Sequence, residues 1–113
     1  IKQLLNHVMD TERIFAYRAL RIARNDNTPL PGYDENVYAE NSFPDSRSGS
    51  SLIEEYRSLR AATLSLFRSF HPDTLHRMGS ANGHPVSVRA PISIVPSHEM
   101  HHLKVLAERY GVN

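Results

Sequence analysis

Cysteine is absent from the 113 residues. That excludes a disulfide framework, a thiolate zinc site and a cysteine nucleophile. No apolar run approaches the ~20 residues of a helical membrane span. Neither sign of charge is in excess: 13 Lys+Arg stand against 12 Asp+Glu, for +1 with His neutral. A protein built around a phosphate backbone needs a basic stripe, so nucleic acid is not an expected partner. Glycine is scarce at five residues. What remains is ordinary globular composition, 40% hydrophobic and 22% charged, in one domain by length. The expectation is a single domain over residues 1–113, located in the cytoplasm, with neither a membrane nor a nucleic acid as partner. One residue type is over-represented. Seven histidines occur, three of them at positions 98, 101 and 102.

Ile1, Leu4, Leu5, Val8, Phe15, Ala19, Ile22 and Ala23 recur at spacings of three and four, which predicts an amphipathic helix over 1–25. No Ser, Thr, Asp or Asn precedes Ile1 as a cap. The sequence therefore reads as a piece of a longer protein, with an earlier helix expected to pack on Leu4, Val8 and Phe15. The run Asn25-Asp26-Asn27-Thr28-Pro29 ends the first visible helix. A polar, proline-broken connection follows over 26–50, with a short helical turn near 34–40. Connections this long inside a compact domain tend to be functional. Ser50 or Ser51 is expected to cap a second helix, with Glu54 or Glu55 completing a capping box. Its apolar positions run from Leu52 through Tyr56, Leu59, Thr63 and Leu66 to Phe70, and His71-Pro72-Asp73 stops it. Residues 79–83 read as loop, and Pro85-Val86-Ser87-Val88 is too short to promise a sheet. Ser87 caps a last helix reaching Tyr110, which Pro96 should kink just before the histidines. The expected class is all-α, an up-down four-helix bundle with three long helices visible.

His98 and His102 are four apart, so on a helix they stack one turn above each other and can converge on one metal ion. Ile92, Val95, Leu103, Leu106 and Tyr110 define that helix's apolar face. His102 falls roughly 40° and His98 roughly 80° from its centre, and His101 roughly 140° away. Thus His98 and His102 border the core while His101 faces solvent. Glu99 falls near the middle of the face, where a carboxylate is costly unless paired or protonated. It is a candidate to orient a ligand or move a proton; a purely structural hydrogen bond is the alternative. Two nitrogens do not hold a divalent ion tightly, so a third ligand is required. His71, His76, His84 and His101 read as solvated.

The string His98-Glu99-Met100-His101-His102 also matches the H-E-x-x-H pattern of zinc metallopeptidases. Only eleven residues follow His102 here, and no strand is read that could hold an extended peptide. A second likeness covers far more of the chain. The stretch His7-Val8-Met9-Asp10-Thr11-Glu12-Arg13 resembles the early-helix signature of the DinB-like family, a histidine followed by Asp-x-Glu-Arg. Leu30-Pro31-Gly32-Tyr33-Asp34 resembles the family's next loop, and Gly83–Val88 leading into His98–Leu103 resembles its final helix. The resemblance spans nearly all of the sequence in order. It implies a DinB/YfiT-like four-helix bundle whose first helix precedes the matched region. It also implies a divalent metal, Zn, Ni, Mn or Fe, held by three histidines that carry over as His7, His98 and His102. On its own helix wheel His7 lies about 120° from the apolar centre, a flank position that can line a pocket between helices. Glu12 falls near that centre and, with Arg13, reads as a buried polar pair or a helix-packing contact rather than a catalytic group.

The function implied by the resemblance is a metal-dependent thiol S-transferase or hydrolase, acting on a small molecule with the metal activating a low-molecular-weight thiol or water. Glu99 would serve the proton or a ligand, and pairing of family members through helix faces implies a homodimer. The alternative is a non-catalytic metal-binding stress-response module. An enzyme needs a reachable cavity, expected beside the loop at 26–50; a structural site would be closed.

Overall fold

The computed structural model describes residues 1–93, and those are mostly helical. Helix α1 spans Lys2–Ala23, the short helix α2 spans Glu35–Glu40, and α3 spans Gly49–Ser69. Two strands, β1 (Met78–Ala81) and β2 (His84–Ser87), pair antiparallel, with Met78 opposite Ser87 and Ala81 opposite His84. Ser87 Oγ accepts from the Ala90 amide, so the expected cap opens a helical turn at 89–93. The rest of the expected last helix, with Pro96, His98, Glu99, His101 and His102, lies outside the described residues.

Helix α1 ends where Asn25 and Asp26 predict. Asn25 takes a left-handed conformation (φ 63°). The Asn25 amide donates to Ile22 O and the Asp26 amide to Arg21 O, which is a Schellman stop with Asn in glycine's usual place. Asp26 then binds both sides of the corner: Oδ2 accepts from Arg21 Nε at 2.7 Å and Oδ1 from the Thr28 amide at 2.9 Å. Helix α3 begins earlier than expected. Ser48, in extended conformation, accepts from the Ser51 amide at 3.1 Å, so Ser48 rather than Ser50 or Ser51 is the cap. With Ser48 as the cap the third helical position is Ser51, so no capping box forms with Glu54 or Glu55; Glu55 instead pairs with Arg13 at 2.6 Å and with Arg47.

The direction of α3 departs from the up-down expectation. Glu12 and Arg13 of α1 bond to residues 55–63 of α3, while Ala19, Ile22 and Ala23 cluster with Phe70. The two long helices therefore run parallel. Residues 24–48 make this possible by returning along α1: Arg18 Nη2 donates to Pro31 O, Tyr33 Oη meets Thr11 Oγ1 at 3.3 Å, and Pro44 and its neighbours reach Gln3.

The hairpin corrects the reading of 79–83 as loop and of 85–88 as too short for a sheet. Asn82 (φ 53°) and Gly83 (φ 76°) supply the two positive φ angles that a tight two-residue hairpin turn requires. Leu30 extends this small sheet, its amide donating to Ser80 O and its carbonyl accepting from the Asn82 amide. The core lies where hairpin, α1 and α3 meet: Ala19, Ile22, Ala23, Phe70 and Val88 are buried, with Leu66, Phe67, Leu75 and Val86 against them. Gly79 lets β1 lie on α1, since a Cβ there would sit 2.7 Å from Ile22 Cγ1.

Two predictions follow from these contacts. Ile22 is buried and cannot swing aside, so Gly79→Ala should cost about 1–3 kcal/mol in urea unfolding; adding Ile22→Val should return part of the loss. The Arg21 hydrogen bond, then that from Thr28, holds the Asp26 carboxyl well below the usual carboxylate range. Its stabilising effect is present above the unfolded value of about 4 and is lost as pH falls through the lower folded value. Melting curves between pH ~5 and ~2 should therefore fall less steeply for Asp26→Asn than for the wild type.

Candidate functional site

A cavity of about 320 Å³ opens between the first half of α1 and the returning linker. Gln3, Asn6, His7 and Asp10 form its helical wall. Tyr33, Glu35, Tyr38, Ala39, Glu40 and Ser42 form the other. The loop expected to edge a pocket does so. The linker is set by local chemistry: Asp34 Oδ1 caps α2 by accepting from the Asn36 and Val37 amides, and Tyr33 is tied to Thr11. The Tyr33 and Tyr38 rings lie 4.9 Å apart between centroids, tilted by 54°.

His7 lines this cavity from a half-buried position, as a flank residue can. Asp10, one turn on, has its carboxyl pushed up by burial, an effect that Arg13 partly offsets. Burial likewise raises the Tyr33 phenol, against the hydrogen bond from Thr11. An imidazole beside a carboxylate at the wall of an open cavity fits one side of a metal site. Among the described residues no group of three His, Asp or Glu side chains is arranged to hold an ion. The other two proposed ligands, His98 and His102, and the proposed proton carrier Glu99 lie outside the described residues.

Glu12 has a different role. It is 3% exposed. Its Oε1 accepts from Arg60 Nε at 3.0 Å and Nη2 at 2.5 Å, and its Oε2 from Thr63 Oγ1 at 2.8 Å. The buried polar pair is real, but its partner is Arg60 of α3 and not Arg13, which reaches Glu55. An adjacent arginine in sequence points about 100° away on a helix, whereas Arg60 faces Glu12 across the interface. His71, His76 and His84 are exposed as expected; His71 Nδ1 accepts from the Asp73 amide.

Sequence reasoning assigned no role to Asn6, Asp10, Tyr33 or Tyr38. A signal was present for two of them: Asn6 and Asp10 sit at i and i+4 beside His7, so the three share one side of α1.

Removing Glu12 would take the carboxylate away from an Arg60 guanidinium that is only 16% exposed. Glu12→Ala should therefore destabilise the fold by about 3–5 kcal/mol. Arg13→Ala, which breaks an exposed pair, should cost about 1 kcal/mol or less in the same chemical-denaturation measurement.

Residues 1–106 match the sequence profile of the DinB superfamily. No curated protein and no solved structure matches the chain. The profile covers the histidine and Asp-x-Glu-Arg run of α1, the linker that walls the cavity and the distal His98–His102 string. The chain belongs to the DinB superfamily.

Proposed function

We propose that the chain is a divalent-metal-dependent enzyme of thiol S-transferase or hydrolase type, with His7, His98 and His102 holding the metal. The observation that carries this reading is the position of His7 on the wall of a cavity that solvent reaches, next to Asp10. A closed structural site would not sit on such a wall. When bound, a divalent ion lowers the pKa of a thiol or water and presents it as a nucleophile. Tyr33, pinned to Thr11, holds the linker against α1 and so keeps the cavity formed. Asp10, whose carboxyl burial shifts toward the neutral form, stands one turn from His7 to exchange a proton with a substrate. Glu99 would serve a ligand or a proton from the last helix. The reading includes a low-molecular-weight thiol as co-substrate and a homodimer in solution.

Elemental analysis of untagged protein should find near-stoichiometric Zn, Ni, Mn or Fe. His102→Ala and His7→Ala should abolish it, and His101→Ala should not. A chelator should lower the melting temperature of the wild type at neutral pH and leave that of His102→Ala unchanged. Equal metal loss from His101→Ala and His102→Ala would overturn the ligand assignment. Metal-free wild type would overturn the enzyme reading.

A further inference from the structure

Tyr33 and Tyr38 also line a second, smaller cavity of about 100 Å³, which opens between the middle of α1 and residues 30–33. Its walls are apolar, made by Ile14, Leu30 and the rings of Tyr17, Tyr33 and Tyr38, and neither Asp nor Glu lines it. The one charged residue on the wall is Arg18. Arg13, Arg21, Arg47 and Arg60 each meet a carboxylate, whereas no acidic side chain pairs with Arg18 among the described residues. Its guanidinium is nevertheless held in place. The Pro31 carbonyl accepts from Nη2 at 3.1 Å, using one of five N–H donors, and the Phe15 ring lies 5.9 Å from the guanidinium carbon. The charge is felt at the Tyr33 phenol, where it opposes the upward push of burial. The linker wall is fixed as well, because Leu30 donates to Ser80 O and accepts from the Asn82 amide.

We propose that this cavity binds a small monocarboxylate with a compact apolar body. A guanidinium with spare donors, held still and lacking a carboxylate of its own, matches the two oxygens of a carboxylate in a planar fork. The apolar walls then choose among anions. A strongly hydrated inorganic anion gains nothing from them, whereas an aliphatic chain is taken out of water there. Size sets the length of that chain. An enclosed benzene needs roughly 150 Å³, so about 100 Å³ suits a short branched acid better than an aromatic one. The recognition goes beyond the metal-dependent activity and does not depend on it, since none of the groups invoked is a proposed metal ligand.

Three probes separate charge from shape, followed by NMR chemical-shift titration of the chain after metal and chelator have been dialysed away. Isovalerate has both the carboxylate and the branched body, acetate has the carboxylate with almost no body, and isovaleramide has the body without the charge. Isovalerate should bind saturably, and each of the other two about tenfold or more weaker. Arg18→Gln should bring isovalerate down to the affinity of isovaleramide and leave isovaleramide unchanged. Tyr38→Ala, at a residue 41% exposed and thus safe for folding, should weaken isovalerate and isovaleramide by the same factor. Arg24→Gln, at an exposed arginine outside the cavity, should change neither. The proposal is overturned if isovalerate gives no saturable shifts, if it binds no better than isovaleramide, or if Arg24→Gln weakens it as much as Arg18→Gln. A protein that never takes up metal yet binds isovalerate would remove the enzyme reading and leave this one standing.

Discussion

The carboxylate of Glu12, buried at the interface of two parallel helices, is the constraint around which the other contacts are arranged. A charge in that position is tolerable only if donors surround it, and Arg60 and Thr63 supply three hydrogen bonds to its two oxygens. Those bonds set the axial register of α1 against α3 more sharply than apolar packing can, because a shift of one residue would break all three of them. Tyr56 adds to the arrangement, its ring 5.6 Å from the Arg60 guanidinium carbon. With that register held, the distal ends of the helices meet at Ala19, Ile22, Ala23 and Phe70, and the hairpin closes over them.

The cavity is a product of the same geometry. Parallel neighbours cannot be joined by a short turn, so residues 24–48 must travel the length of α1 in reverse. The chain fastens itself on the way, through Asp26 to Arg21, Pro31 to Arg18 and Tyr33 to Thr11. Near the start of α1 it forms α2, none of whose residues is buried. A helix lying on another without sinking into it leaves space between them, and His7, Asn6 and Asp10 face that space. The site thus lies at the opposite end of α1 from the apolar cluster under the hairpin.

Helix α1 was legible because its apolar spacing is regular and its last turn runs into Asn25-Asp26. The end of α3 at His71-Pro72 and the short helix near 34–40 were legible for the same local reasons. The start of α3 was not. Ser48, Ser50 and Ser51 all have the chemistry of a cap, and Ser48, three residues before another serine, offers no capping-box partner that would mark it. The direction of α3 was equally hidden, since a linker of this length permits either orientation. The hairpin did have a local signal in Asn82-Gly83, which Gly79 and Pro85 obscured because both weaken a strand pattern. At the site, His7 could be read as a flank residue, and the family likeness made it a candidate. Asn6 and Asp10 had a local signal in their spacing around His7, but Tyr33 and Tyr38 could not be read, because what brings them to α1 is the return path of the linker.

The parallel arrangement also has a kinetic side. An up-down bundle gains its interhelix contacts between residues close in sequence, whereas Glu12 must find Arg60 and Thr63 from 48 and 51 positions away. Closing a loop of that size in one step costs on the order of 3 kcal/mol in chain entropy before any contact forms. The linker divides the closure. Its contacts with α1 lie 5, 13 and 22 residues apart in sequence, at Arg21–Asp26, Arg18–Pro31 and Thr11–Tyr33. Each one shortens the free loop remaining for the next. Closing the chain through these nested contacts costs less at each step than closing the whole loop at once.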